Sequence, residues 1–309
     1  MLKRTKIIKL SFLLIVSLNL ISCIEDPTAP NSEIVQTPVS ISDIAKIPKP
    51  NHTVIVVLEN HAYEQIIDRK SAPYINELAD SGALFTESYG LTHPSQPNYI
   101  MLYSGSNQDV KDDKKPQNTP FSTPNLGASM LAANKTFVGY SEDLPSVGFV
   151  GDKYDQYASK HSPWVHWQGN GTNRLPAEVN QPLSNFPDDY NKLPDLSFVI
   201  PNMDDDMHNG IFTPIIKKGD DWLKNHLDGY IKWAKDNNSL FILTFDEDNR
   251  LHNNKVTTIF VGPMVKAGVY NEKINHYSIL RTLEDMYKLP YIGASTNINP
   301  IVDCWNPIK

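Results

Sequence analysis

The sequence predicts an α/β fold, a mostly parallel sheet with helices on both faces. Two observations carry this. Apolar runs alternate with helix-like segments of ten or more residues along most of the chain. Several of those runs are continuously apolar rather than alternating, as strands covered on both faces must be. In order, HTVIVVLE (52–59) is a strand, and PYINELADSG (73–82) has helical spacing with a glycine stop. ALFTESYG (83–90) is a strand, followed by the loop THPS and a helix on PNYIMLYSG that begins near Pro97. KTFVGYSE (135–142) and LSFVIPN (196–202) are strands, and GDDWLKNHLDGYIKWAKDN (219–237) is an amphipathic helix. SLFILTFDED (239–248) and VTTIFVGP (256–263) are strands, and HYSILRTLEDMYKLP (276–290) is the closing helix. The stretch 141–195 is rich in Pro, Gly, Asn and aromatics without periodicity, and is expected to form a loop-rich cap or rim over a site.

The start of the chain stands apart from this pattern. Lys3, Arg4, Lys6 and Lys9 precede an apolar run through Ile21 that is too short for a comfortable span, the make-up of a secretory signal. It ends in Leu20-Ile21-Ser22-Cys23, which resembles a bacterial lipobox, so that 1–22 is a lipoprotein signal peptide and Cys23 the lipidated residue. An ordinary signal with an incidental cysteine is the alternative. Residues 23–50, rich in Pro, Ser, Thr and Asn, read as a flexible tether, leaving 51–309 as the folded domain. The expected location is a bacterial membrane, exported and anchored by lipid on the periplasmic or cell-surface face. Loss of the four basic residues takes the formal charge from −7 to −11. Such a surface gives no electrostatic help toward nucleic acid, and a phosphate-handling site would have to be locally positive. With Cys23 lipidated, Cys304 is the remaining thiol, which excludes a disulfide framework and a cysteine zinc site.

In open α/β sheets, ligands bind beyond the carboxyl ends of the parallel strands. Three apolar strands here run into polar clusters: Val54–Leu58 into Glu59-Asn60-His61, LSFVI into Asp204, Asp205, Asp206 and His208, and LFILTF into Asp246-Glu247-Asp248. Carboxylates converging on one point repel unless a cation lies between them, and hard oxygen donors suit Mg²⁺, Ca²⁺ or Mn²⁺, with zinc joining if histidines enter the sphere. Solvated loops and helix caps are the alternative. Ser95 lies in a proline-bracketed turn before a helix, where N–H groups and the helix dipole favour an anion. That suits a serine nucleophile attacking phosphorus with a metal lowering its pKa, although a plain N-cap serine has the same local sequence.

LENHAYEQI, THPSQPNYIMLYSG, IPNMDDDMHNG, GDDWL, LTFDEDN, TIFVGPMVKAG and HYSILRTLEDMYKL, in this order from about Asn51 to Tyr291, resemble the motifs of the bacterial phosphoesterase family. This family holds acid phosphatases and non-haemolytic phospholipases C, within the alkaline-phosphatase-like superfamily. The short form of HPSQPN with its Tyr/Ser-Gly turn is closer to the acid phosphatase and phosphatidylinositol-phosphate phosphatase branch. The resemblance implies an alkaline-phosphatase-like fold and a metal-dependent phosphomonoesterase working through a phosphoserine. Its substrate would be a phosphate ester, a phospholipid or phosphoinositide among the candidates. It further implies one divalent ion on Glu59, Asn60, Ser95, Asp246 and Glu247, with Ser95 as nucleophile. Asn98 would hold phosphate oxygens, His208 would bind phosphate or protonate the leaving oxygen with Asp206 orienting it, and His161 would reach the same phosphate from the cap. His276 would be a further ligand or a helix cap. Where many superfamily members carry an Asp-His pair and two zinc ions, this chain has Asp246-Glu247, which favours one harder ion. A phosphodiesterase or phospholipase C is the alternative activity, and an idle surface lipoprotein the alternative class. A sulfatase is rejected because Tyr99 stands where its motif requires arginine.

Overall fold

In the computed structural model the described residues are 38–210 and 213–307, which lie within one compact unit. The signal peptide, Cys23 and the first half of the tether therefore fall outside the described residues. The strands are β1 (Thr53–Leu58), β2 (Ala83–Tyr89), β3 (Phe137–Ser141), β4 (Lys153–Tyr154), β5 (Tyr157–Ala158), β6 (Asn180–Pro182), β7 (Leu196–Ile200), β8 (Leu240–Phe245), β9 (Thr258–Val261) and β10 (Gly268–Asn275). The helices are α1 (Ile41–Ile44), α2 (Tyr63–Ile66), α3 (Pro73–Ser81), α4 (Ser95–Ser104), α5 (Leu126–Ala132), α6 (Thr213–Asp236) and α7 (His276–Tyr287).

Eight strands form one sheet in the order β10-β2-β9-β8-β1-β7-β3-β6, and β4 and β5 form a separate ribbon. All neighbours in the large sheet are parallel except β9, which runs against both β2 and β8. The central three strands are in step: Thr53 of β1 lies opposite Leu196 of β7 on one side and Leu240 of β8 on the other. This register brings the ends of β1 and β8 level, with Leu58 opposite Phe245.

The continuous apolar runs are explained by two cores, one on each face. Ile55 and Val57 of β1 and Leu240 and Ile242 of β8 point into the core shared with α4, α5 and α7. Val54, Val56 and Leu58, with Phe241, Leu243 and Phe245, point into the core shared with α3 and α6. Successive strand side chains alternate between faces, so both sets must be apolar. On α6, Leu223, Leu227, Tyr230, Ile231 and Ala234 repeat at helical spacing and are buried on the same side.

The expected α/β architecture is present, with three differences of detail. Helix α4 begins at Ser95 rather than near Pro97, because Pro97 sits in the first turn, where its missing N–H has no intrahelical partner to lose. Strand β10 was not expected: VYNEKIN alternates exposed and part-buried side chains, since it is an edge strand paired only with β2. The 141–195 segment is more than a cap, because its β6 extends the sheet beside β3 and its Trp164 and Trp167 are fully buried in the core. Within the tether, α1 is a single turn capped by Ser40, and the Val39 N–H donates to Asn299 Oδ1 at 3.4 Å.

Trp164 occupies the space above Gly139 of β3. A Cβ on Gly139 would lie 2.0 Å from Trp164 Cε2 and 2.3 Å from Cζ2. Gly139→Ala is expected to destabilise the protein by about 2–3 kcal/mol through overpacking. Urea unfolding checks this, and a loss under about 0.5 kcal/mol would show that the indole moves freely.

Candidate active site

Every acidic group expected at the site is delivered by the three central strands. Glu59 follows β1 directly and is fully buried. Its backbone N–H donates to the Asp206 carbonyl at 2.8 Å, and the Asp246 N–H donates to the Leu58 carbonyl at 3.0 Å, so strand pairing continues into the site. Asn60 turns the chain with φ 22°, and its N–H donates to Asp246 Oδ1 at 3.0 Å. Asp206 precedes Met207, a buried residue held at φ 80°, a strained conformation that the surrounding packing must impose. Ser95 opens α4, and its hydroxyl donates to Glu59 Oε2 at 2.9 Å. Glu59, Asn60, Ser95, Asp246 and Glu247 are thus brought together.

The remaining predicted residues take other places. His161 is 1% exposed, stacked on Tyr99, with Nε2 3.0 Å from Glu59 Oε1 and Nδ1 3.0 Å from Asp206 Oδ2. It lies behind Glu59 rather than reaching in from a cap. Asp206 accordingly faces His161. It touches His208 only through the backbone, where Oδ1 accepts the His208 N–H at 2.7 Å, so it does not orient that imidazole as expected. His208 instead has Nε2 3.0 Å from Lys160 Nζ and Nδ1 3.2 Å from Asn209 Oδ1. Asn98 has its amide committed to the loop before α4. Its Oδ1 accepts the N–H groups of Leu91 and Thr92, and its Nδ2 donates to the carbonyls of Thr92 and Pro94. A further contact, 3.3 Å to Glu247 Oε2, points toward the site, so the same amide that shapes the serine turn also reaches the carboxylate set. His276 Nε2 donates to the Asp246 carbonyl at 2.6 Å, while Asn275 caps α7.

Three residues absent from the sequence expectation complete the set. His93 lies between Glu247 Oε2 at 2.9 Å and Asp248 Oδ1 at 3.2 Å. Asp113 takes the Gln96 N–H at 3.0 Å on one oxygen and approaches Lys160 Nζ at 3.2 Å with the other. Lys160 is buried beside His208. The Lys160-His161 pair and the THP run were visible signals. The 107–118 loop that brings Asp113 carried none.

The electrostatics test whether the donor set fits a cation. Burial pushes Glu59 up to about 7, and burial followed by the charge of Glu59 pushes Asp246 and Asp206 well above the carboxylate range. Glu247 is also raised by burial, partly offset by His93. Burial, then the charges of Lys160 and His208, press His161 toward its neutral form. Glu59 Oε1, Asp246 Oδ2, Asp206 Oδ2 and both His161 nitrogens are buried without an aligned hydrogen bond, so the close His161 contacts are proximity rather than pairing. Orphaned lone pairs crowded at one point, on groups forced toward neutrality for want of a counter-charge, fit a divalent cation. Glu59, His161 and His208 also offer donor atoms within 4.8 Å of one another, which keeps nitrogen ligation open.

Comparison with known proteins bears on the family and the fold. The model of the Phosphoesterase family matches residues 65–290. The chain is 45% identical over 261 residues to a phosphatidylinositol-3-phosphatase of Mycobacterium tuberculosis, covering 84% of each chain. It is 30% identical over 264 residues to an acid phosphatase of Aspergillus fumigatus, covering 80% of this chain and 58% of that one. It likewise spans 55% of the phosphate-repressible acid phosphatase of Penicillium chrysogenum, so the fungal relatives are considerably longer. Among solved structures, a protein of the alkaline phosphatase superfamily from Vibrio parahaemolyticus superposes with a TM-score of 0.58 at 15% identity, over 82% of this chain and 71% of that one. That likeness speaks to the fold. On the family match, the similarity to these relatives and the shared architecture, the chain belongs to the phosphoesterase family.

Proposed function

We propose that the chain is a phosphomonoesterase in which Ser95 attacks phosphorus and a phosphoserine is then hydrolysed. The carrying observation is the buried Ser95 hydroxyl, at the first residue of a helix and 2.9 Å from Glu59, inside a carboxylate set that calls for a cation. A divalent ion held by Glu59, Asn60, Ser95, Asp246 and Glu247 would supply Lewis acidity toward the serine oxygen and the phosphoryl oxygens. The chain's own groups do the rest. The Ser95 proton already points at Glu59 Oε2 and leaves along that bond. The first turn of α4 adds the positive end of its dipole where negative charge develops. His161, stacked on Tyr99 between Glu59 and Asp206, fills the space behind Glu59. In the first step the Oγ–P bond forms and the bond from phosphorus to the leaving oxygen breaks. In the second, water displaces Ser95 from phosphorus. His93, His208 and Asp113 make the part-exposed flank of the site.

The substrate reading is a phosphate monoester, with a phosphoinositide supported by the similarity to the Mycobacterium protein. The test is hydrolysis of p-nitrophenyl phosphate, bis(p-nitrophenyl) phosphate and phosphatidylinositol 3-phosphate, each with and without chelator. Chelator-sensitive release from the monoesters is expected. Cleavage of the bis-ester alone would turn the reading to a phosphodiesterase, and no release under any added divalent ion would leave an idle scaffold.

We place the protein at a bacterial membrane, held by a lipid on Cys23. The support is the basic-then-apolar leader ending in Leu20-Ile21-Ser22-Cys23. No helix of the described residues is long and apolar enough to cross a membrane. Cys23→Ser is expected to abolish palmitate labelling and release the protein from the membrane fraction. Unchanged labelling would move the anchor elsewhere.

A further inference from the structure

Lys160 and Arg281 are the buried lysine and arginine among the described residues. Arg281 is engaged with Asp285 and with the carbonyls of Ser295 and Ile298. Lys160 is at the site. Its ammonium lies 3.2 Å from Asp113 Oδ2 and 3.0 Å from His208 Nε2, with its side chain 9% exposed. Asp113 Oδ1 in turn accepts the N–H of Gln96, the residue after Ser95. The Gln96 side chain fixes the same loop by donating to the carbonyls of Asp112 and Lys114 at 2.8 Å. One carboxylate therefore ties the lysine to the first turn of the nucleophile's helix. The charge of Lys160 also reaches Glu59 and Asp206, depressing both against their burial, so the ammonium lies on the carboxylate side of the site as well.

A phosphate monoester near neutral pH carries two negative charges on its non-bridging oxygens, and a diester carries one. A cation fixed beside the reacting phosphorus in a poorly solvated place gains more from the dianion. We propose that Lys160 selects the monoester: its ammonium, aimed by Asp113 and His208, pairs with the oxygen that a diester would have esterified. The inference rests on the phosphomonoesterase reading and extends it to the choice between ester classes. Asp113 compensates the buried charge when no substrate is bound, and the dianion takes over that pairing on entry.

The experiment compares p-nitrophenyl phosphate with its bis-ester on the full-length chain in detergent, for the unmodified protein, Lys160→Met and Lys160→Arg. Lys160→Met is expected to lower kcat/KM for the monoester roughly 100-fold while changing the bis-ester less than threefold. Lys160→Arg is expected to recover part of the monoester rate, because the charge is kept and only its shape changes. Both substrates are read on one preparation, so the ratio is independent of how much of a variant folds. Equal losses on both esters, or a monoester rate within threefold of the unmodified protein, would overturn the role of Lys160. If the unmodified protein fails on the monoester, the phosphomonoesterase reading falls first, and the assignment of Lys160 falls with it.

Discussion

Ser95→Ala is expected to lower kcat for p-nitrophenyl phosphate by about 10,000-fold or more while leaving the fold intact. Ser95 is 2% exposed, and its hydroxyl donates to Glu59 Oε2 at 2.9 Å and lies within hydrogen-bonding reach of the Asp246 carboxylate. Alanine keeps the first turn of α4, because the residue is inside the helix and the cap position belongs to Pro94. The stability cost is that of one lost hydrogen bond to a buried carboxylate, about 1–2 kcal/mol. Nothing nearby offers a substitute nucleophile in the same place: His161 is enclosed behind Glu59, and His93 is held by Glu247 and Asp248. A burst of p-nitrophenol equal to the enzyme concentration in the unmodified protein, and its absence in Ser95→Ala, would mark the covalent step. A variant that retains a tenth of the rate would show that water attacks phosphorus directly and that Ser95 only positions it.

The second large effect concerns the carboxylates without their cation. Asp246 Oδ1 is occupied by the Asn60 N–H, but Oδ2 is buried without a partner beside Glu59 and Glu247. Asp246→Asn keeps the acceptor for Asn60 and removes a buried acid that, without a cation, must either hold an uncompensated charge or take up a proton. The metal-free variant is therefore expected to melt above the metal-free unmodified protein, by about 5 °C for a gain of about 2 kcal/mol. Adding a divalent ion should reverse the order. The unmodified protein gains about 3 kcal/mol at a hundredfold excess over Kd, and the variant gains little. Thermal melts with chelator and with Mg²⁺, Mn²⁺, Ca²⁺ or Zn²⁺ read both effects and rank the ions. A metal-free variant that melts lower than its parent would mean that the fold itself, not an ion, holds these acids together.

The fold was legible because its strands are buried on two faces, and a run such as VIVVL has few other uses. Strand β10 was not, since VYNEKIN is polar on its exposed side and reads as a loop. Glu59 and Asp246 stood out for a simple reason: a carboxylate that ends a fully apolar strand has no obvious structural purpose. Ser95 was found by its place before a helix, and the family resemblance raised it above a cap. Lys160, Asp113 and His93 sit on separate loops, and their meeting depends on how those loops fold back, which periodicity does not report. The same limit explains the exchange of partners around Asp206. The family resemblance implied that it orients the His208 ring, whereas across space it faces His161.

The central strands also act as a gauge. Because β8 and β1 are held in step by main-chain pairing, the separation of Glu59 and Asp246 at their tips is set by the strand spacing, about 4.8 Å, and not by a loop. The 107–118 loop and the short turn at Ser159–His161, which bring Asp113, Lys160 and His161, are separate pieces of chain packed against that gauge. A change in these segments would alter the flank of the site while leaving the distance between Glu59 and Asp246 as the sheet sets it. The part of the chain that fixes the spacing of these acids is thus separate from the parts that supply Asp113, Lys160 and His161.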